Sequence, residues 1–137
     1  MSRSGYVDDI EDNWQLIMWR GQVASAIRGR RGQAFLRELI VALDALPKKE
    51  LIANELRHGD EVCALGSVGV RRDIDLEVLD PEDRVALAKT FGVAAPLIQE
   101  IEWVNDEMGL YLYPDTPEKR WQRVRQWAVE NIREAKP

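Results

Sequence analysis

The sequence predicts an α+β domain that is predominantly α-helical, with about five helices and one small β-hairpin. Apolar residues recur at helical spacing through most of the chain, and capping residues, glycines and prolines divide it into segments of helix length. One segment, residues 50–70, instead carries two short apolar runs around a polar turn. Neither a repeat nor a linker divides the 137 residues, so we predict one globular domain over residues 1–137.

Composition is typical of a soluble globular protein, with 45% hydrophobic and 31% charged residues. The longest uninterrupted apolar run, residues 39–43, is too short to span a bilayer. The N-terminal segment lacks the apolar core of a secretion signal, and the single cysteine excludes an intramolecular disulfide. We therefore expect cytoplasmic residence and no membrane partner.

The first helix is predicted over residues 10–28 and is apolar on two sides. One side carries Ile10, Trp14, Ile17, Met18, Ala24 and Ile27, and the other carries Leu16, Trp19 and Val23. Such a helix lies at the centre of a core or forms half of an interface, so a homodimer is one expected arrangement. Gly29 and Gly32 end this helix, and a second helix over residues 33–46 stops before Pro47.

Residues 50–70 predict the hairpin. Residues 51–56 and 61–66 form two extended runs around the polar turn 57–60, and Gly66 and Gly69 end the segment. Each run could instead form a helical turn, because short apolar runs are compatible with both structures.

Helices resume after the hairpin. Asp80 as a cap and Pro81 at the first helical position predict a helix that ends near Gly92, followed by a helix over residues 95–107. An irregular connection is expected over residues 109–114. Thr116 then caps the last helix, whose apolar face carries Trp121, Val124, Ala128 and Ile132.

The segment from Arg84 to Ile98 has the spacing of a helix-turn-helix. Gly92 could supply a left-handed turn, and Val93 and Ile98 would enter the core. A DNA-reading second helix offers arginine, lysine, asparagine or glutamine to base edges. Here residues 96–103 carry one glutamine, two carboxylates and no cation, so the spacing suits DNA and the surface repels it.

Charge is distributed unevenly along a chain whose net charge is −5. Residues 13–37 hold five arginines and no acid, whereas residues 73–118 hold twelve acids and only two bases. The basic ends could pair with the acidic middle within the fold, which is the more ordinary arrangement. Alternatively, the acidic segment could form a face for a cationic partner and imitate nucleic acid.

Five tryptophans are too many to bury fully in a small core, and tryptophan with arginine forms interaction hot spots. We therefore predict a protein-binding face, and its candidate residues are Trp19, Asp73, Asp75, Glu100, Glu102 and Trp127. The alternative function is a nucleic-acid-binding regulator in which arginines contact phosphates beside the helix-turn-helix-like segment. The candidates for that role are Arg20, Arg28, Arg30 and Arg31.

Enzymatic chemistry has weaker support. His58 and Cys63 flank one turn and could form a nucleophilic pair near Asp60, but Cys63 lies in an apolar run typical of a buried cysteine. One histidine and one cysteine cannot supply a zinc shell, and the acids of residues 73–80 lack the glycine of an EF-hand. We predict no catalytic residue, metal or cofactor.

Several strings carry a resemblance to known proteins: Asp12-Asn13-Trp14, Trp19-Arg20-Gly21, Ser25-Ala26-Ile27-Arg28-Gly29, Arg31-Gly32-Gln33-Ala34-Phe35-Leu36 and Val62-Cys63-Ala64-Leu65-Gly66. They resemble a family of small proteins encoded in bacteriophage and prophage genomes. The resemblance extends to Phe91-Gly92-Val93, Asn105-Asp106 and Arg120-Trp121, and so covers most of the chain. It implies a phage accessory protein that acts in the bacterial cytoplasm.

Small acidic phage proteins often inhibit host machinery, including nucleases of host defence. By this class-level argument, we expect a non-enzymatic protein that binds a host or phage protein. Inhibition of host defence is its expected role, with nucleic-acid binding as the alternative.

Overall fold

The computed structural model describes residues 3–5, 13–111 and 114–133. In order, its elements are α1 (Asn13–Arg28), α2 (Arg30–Ala45), β1 (Arg57–His58), β2 (Glu61–Val62), α3 (Ala64–Arg71), a 3₁₀ turn (Leu76–Val78), α4 (Arg84–Phe91), α5 (Ala95–Asp106), a second 3₁₀ turn (Met108–Tyr111) and α6 (Pro117–Asn131). The two strands pair antiparallel. This arrangement confirms the predicted, mostly helical α+β fold with one small hairpin.

The first two helices meet at a tight corner. The predicted start of α1 at residues 10–12 lies outside the described residues, whereas its predicted end at Arg28 is confirmed. The second helix begins at Arg30, earlier than predicted, because Gly32 does not break it. A Cβ on Gly32 would lie 1.9 Å from the carbonyl oxygen of Ala26, so this glycine lets the two helices cross closely.

The hairpin is shorter than predicted. Each strand has two residues, and β1 lies within the predicted turn, whereas the first predicted run, residues 51–56, forms no strand. Residues 64–66 of the second predicted run form the start of α3. Cys63 is the N-cap of this helix, and its Sγ accepts a hydrogen bond from the Gly66 amide at 3.4 Å. Gly66 lies inside the helix rather than at the end of a strand, because its missing side chain lets α3 pack against the carbonyl of Leu56.

The helix-turn-helix geometry is present. The first helix of this motif, α4, begins three residues later than predicted. Its cap is Asp83 rather than Asp80, because the Asp83 carboxylate accepts a 3.1 Å hydrogen bond from the Ala86 amide. Gly92 supplies the left-handed turn with φ +75°, as predicted. The side chains of Val93 and Ile98 are buried, also as predicted.

The core lies around α5. This helix packs against α1, α3, α4 and α6, and α2 packs against α1, α3 and α6 on the other side of the molecule. The predicted Thr116 cap of α6 is confirmed by a 3.1 Å bond from the Lys119 amide to its hydroxyl. Among the described residues, no helix has the length and apolar character needed to cross a membrane.

Candidate protein-binding site

The predicted acidic surface does not include α5. Glu100 and Glu102 are buried, together with Asp106 on the same helix and Glu107 at its C-cap. Four neighbouring helices surround α5, so even its charged positions face protein rather than water. The expectation that Glu100 and Glu102 belong to an exposed acidic face is therefore corrected.

Glu100, one of the buried carboxylates of α5, pairs with Arg20, a residue that the sequence made a candidate for nucleic-acid binding. The guanidinium of Arg20 on α1 lies 3.0 Å from both carboxylate oxygens of Glu100. This ion pair joins the basic and acidic segments within the fold. Arg20 is partly exposed, but it also has a structural role because its guanidinium links α1 to α5.

The end of α5 holds a second buried charged cluster. Arg3 donates to Asp106 over 2.9 Å, and the Ser4 hydroxyl donates to Glu107 over 2.8 Å. Asn105 donates to the same Asp106 oxygen over 2.8 Å. Arg3 and Ser4 are thus attached to residues that lie 103 positions away in sequence.

Glu102 is the exceptional member of this cluster. Its side chain is 0% exposed, and neither carboxylate oxygen has a hydrogen-bond partner among the described residues. Arg3 approaches it only to 3.7 Å. Burial raises the pKa of Glu102 to about 8, against the opposing charge of Arg3, so the group is mostly protonated at neutral pH.

The residues considered for catalysis do not form a pair. Cys63 is fully buried, and its Sγ lies 3.6 Å from a guanidinium nitrogen of Arg3. His58 is exposed on the hairpin, with Nδ1 3.6 Å from a Glu55 carboxylate oxygen. A buried thiol and an exposed imidazole do not have the geometry of a nucleophile and its base. Among the described residues, no group of three or more histidines, cysteines or acids could hold a metal ion.

The most distinctive surface is the first half of α1. Trp14 is 70% exposed, Ile17 63% and Met18 51%, and Leu16 is exposed as well. The sequence pattern had indicated two apolar sides, but neither side is fully covered in this half of the helix. Burial begins only at Val23.

A groove runs along this exposed side of α1. At one end, Trp14, Met18 and Trp19 face Val85 of α4, which is itself 75% exposed. Toward the other end, the walls continue past Met18 to residues 25–32. Met18 and Gln22 line both stretches, which therefore adjoin along α1.

Arginines occupy the far end of the groove. Arg30 and Arg31 line it, and Arg28 is exposed nearby. Within the described part of the chain, none of these three arginines makes an ion pair. Other described arginines besides Arg3 and Arg20 do make ion pairs. Arg72 pairs with Glu38, Arg120 and Arg123 pair with Asp115, and Arg125 pairs with Asp44. Ion pairs within the fold thus occupy many arginines but leave Arg28, Arg30 and Arg31 available for a partner.

The remaining predicted binding residues lie apart from the groove or only at its wall. Asp73 and Asp75 are exposed between α3 and α4, where Asp75 accepts a bond from the Glu77 amide. Trp127 is half-buried and packs against the core from α6, and Trp19 is half-buried at the groove wall. The sequence prediction missed Trp14, Met18 and Val85 of this groove. The signal for Trp14 and Met18 was their place on one of the two apolar sides of α1.

Comparison of the chain with models of protein families, with curated proteins and with solved structures gave no match.

Proposed function

We propose that this chain is a non-enzymatic, phage-encoded accessory protein that binds a host or phage protein through the exposed apolar side of α1. The observation that carries this proposal is the exposure of Trp14 and Met18 beside Val85, with Ile17 exposed on the same half of α1. Large apolar side chains grouped on a surface mark interaction sites. Full burial of one such side chain contributes about 1.5–3 kcal/mol, so three or four of them supply a useful interface core.

The phage setting of the proposal rests on the resemblance described above. Two of its strings, Asp12-Asn13-Trp14 and Trp19-Arg20-Gly21, include residues of the proposed surface. A small protein that presents an apolar helix face suits an inhibitor, because occupying a partner's surface requires no chemistry. Inhibition of host defence remains the proposed role, with the bacterial cytoplasm as the proposed location.

The binding residues of the proposal differ partly from those predicted by the sequence. Trp19 remains because it lines the groove beside Met18. Trp127, Asp73 and Asp75 become peripheral candidates on other parts of the surface. A homodimer that buries the same side of α1 is compatible with the proposal and is an outcome of its tests.

Affinity capture from bacterial lysate tests the proposal. Tagged protein is incubated with nuclease-treated and untreated lysate, in parallel with Met18→Glu and with Val129→Glu as the matched control. Val129 is also an exposed apolar residue, but it lies on α6 outside the groove. The proposal predicts a protein partner that survives nuclease, is lost with Met18→Glu and is retained with Val129→Glu. A partner retained by both variants would contradict it.

Nucleic-acid binding is the second candidate function, and it is favoured by the exposed arginines Arg28, Arg30 and Arg31. Contacts to phosphate release counterions, so binding to duplex DNA would weaken steeply with salt. Changing these three arginines to alanine would then abolish it. Arg20 contributes less to this candidate because its guanidinium already bonds to Glu100.

A further inference from the structure

We infer that the groove along α1 binds an amphipathic helix of a partner protein, with the carboxylates of that helix placed against Arg30 and Arg31. This inference rests on the proposed function and specifies the chemistry of the partner. It follows from three properties of the groove: its backbone chemistry, the shape of its floor and the distribution of its charge.

The backbone chemistry of the walls favours a helix over an extended peptide. The groove is walled by α1, α2, α4 and α5, whose interior N–H and C=O groups are bonded within each helix. An extended peptide would find no strand edge there, and its own backbone groups would lose water without gaining partners. A helical partner satisfies its backbone internally and presents only side chains.

The floor of the groove admits a second helix closely. Gly21 and Ser25 are four residues apart and therefore lie on one side of α1, and Gly29 continues the small-residue floor at the corner. A Cβ on Gly21 would have no atom within 4 Å, so the space above this position is open. Small residues let helix axes approach, while Trp14 and Met18 supply apolar contacts at the other end.

The positive charge at the far end of the groove determines where the partner helix carries its acidic residues. Arg30 and Arg31 lie in the first turn of α2, where the helix dipole disfavours positive charge. That turn contains no acid, and neither arginine makes an ion pair within the described residues. Carboxylates on a docked helix would complement both cations.

The apolar end distinguishes a protein partner from nucleic acid. Phosphates could serve the arginines equally well, but they would leave Trp14, Met18 and Val85 of the groove exposed to water. An amphipathic helix with an acidic end covers the apolar and the basic parts of the groove together. Nucleic acid therefore becomes an outcome of the test rather than the inference.

A displayed library of helical peptides tests this inference. Its members are about 16 residues long to match α1, with randomised polar and apolar positions. The library is selected on the unmodified protein, and the enriched peptides are sequenced and titrated. We expect apolar residues at helical spacing followed by aspartate or glutamate clustered at one end.

Three variants read out the binding mode. Gly21→Leu fills the open space above the floor, and its matched control is Ala24→Leu, which adds the same side chain to an exposed position of α1 outside the groove. We expect a loss of affinity of at least about tenfold with Gly21→Leu and little change with Ala24→Leu. Reversal of both Arg30 and Arg31 to glutamate should weaken binding by about tenfold, mainly at low salt.

Each alternative outcome has a distinct meaning. Peptides that depend on Met18 and Gly21 but carry no acidic end would overturn the inference and leave the proposed function standing. Enrichment that is insensitive to Met18→Glu, or no enrichment at all, would overturn both. Duplex DNA that binds through Arg30 and Arg31 without sensitivity to Gly21→Leu would favour nucleic acid. A dimer in sedimentation that dissociates with Gly21→Leu would replace the partner helix by a second copy of the chain.

Discussion

Helices α1 and α5 pack against each other but differ in which side chains they bury. The fifth helix has charged and amide residues at nearly half of its positions and buries them, whereas the first half of α1 is mostly apolar and exposes its large side chains. The difference lies in their neighbours, because α5 packs against four helices and α1 chiefly against α2 and α5. Position in the fold, rather than the polarity of a segment, therefore decides which surface is available for binding.

Asp106→Ala should strongly destabilise the protein. The Asp106 carboxylate accepts bonds from Arg3, Asn105 and the backbone amide of Asn54. Its removal leaves a buried guanidinium unpaired, so we expect a loss of about 3–5 kcal/mol in the free energy of unfolding. Urea denaturation measures the loss, with Asp75→Ala on the exposed loop as a control that changes little. Equal effects of the two substitutions would show that the charged cluster does not stabilise the fold.

The pH dependence of stability should identify Glu102. Because the folded-state pKa of about 8 lies above the ordinary value of 4.5, the folded protein binds the proton more tightly than the unfolded chain. Stability contributed by this group is present below about pH 4.5 and is lost as the pH rises toward 8. We expect a loss of about 3 kcal/mol between pH 5 and pH 8, removed in Glu102→Gln. If Glu102→Gln kept the pH dependence of stability of the unmodified protein, Glu102 would not be a buried, protonated carboxyl.

Substitution of Gly21 should stabilise helix α1, although it should also lower the affinity for the partner. The position is helical and its missing side chain faces open space, so Gly21→Ala should stabilise the protein by about 1 kcal/mol. Thermal denaturation checks this expectation. A destabilised variant would show that the floor of the groove is covered by protein in solution.

Met18→Glu should have the smallest effect on stability. The side chain is half exposed, so we expect a change within about 0.5 kcal/mol. The same substitution at the buried Ile101 of α5 should prevent folding. Urea denaturation and circular dichroism distinguish the two results, and similar destabilisation by both would remove the contrast between the helices.

The sequence predicted those features that depend on local chemistry. The turn at Gly92 and the cap at Thr116 follow from neighbouring residues, and both are confirmed. The start of α4 was wrong because Asp80 and Asp83 both suit a cap and the choice depends on packing. Burial of Glu100 required knowledge of the helices around α5, and the pairing of Arg3 with Asp106 joins residues 103 positions apart.

The candidate site was only partly predictable for the same reason. Its two-sided first helix and its cluster of arginines were visible as patterns, but the absence of ion pairs at Arg30 and Arg31 within the described residues was not. Which half of α1 remains exposed depends on how far α2 and α5 cover it, so Trp14 was not distinguished from Trp19. Exposure of Val85 likewise depends on the angle between α4 and α1.

The exposed side of α1 is the central claim, and titration of the captured partner tests it most directly. Calorimetric affinities are compared for the unmodified protein, Gly21→Leu and Ala24→Leu, after thermal denaturation has shown all three to be folded. We predict that Gly21→Leu weakens the partner at least about tenfold and that Ala24→Leu does not. Equal affinities for the three proteins would place the interface elsewhere on the molecule.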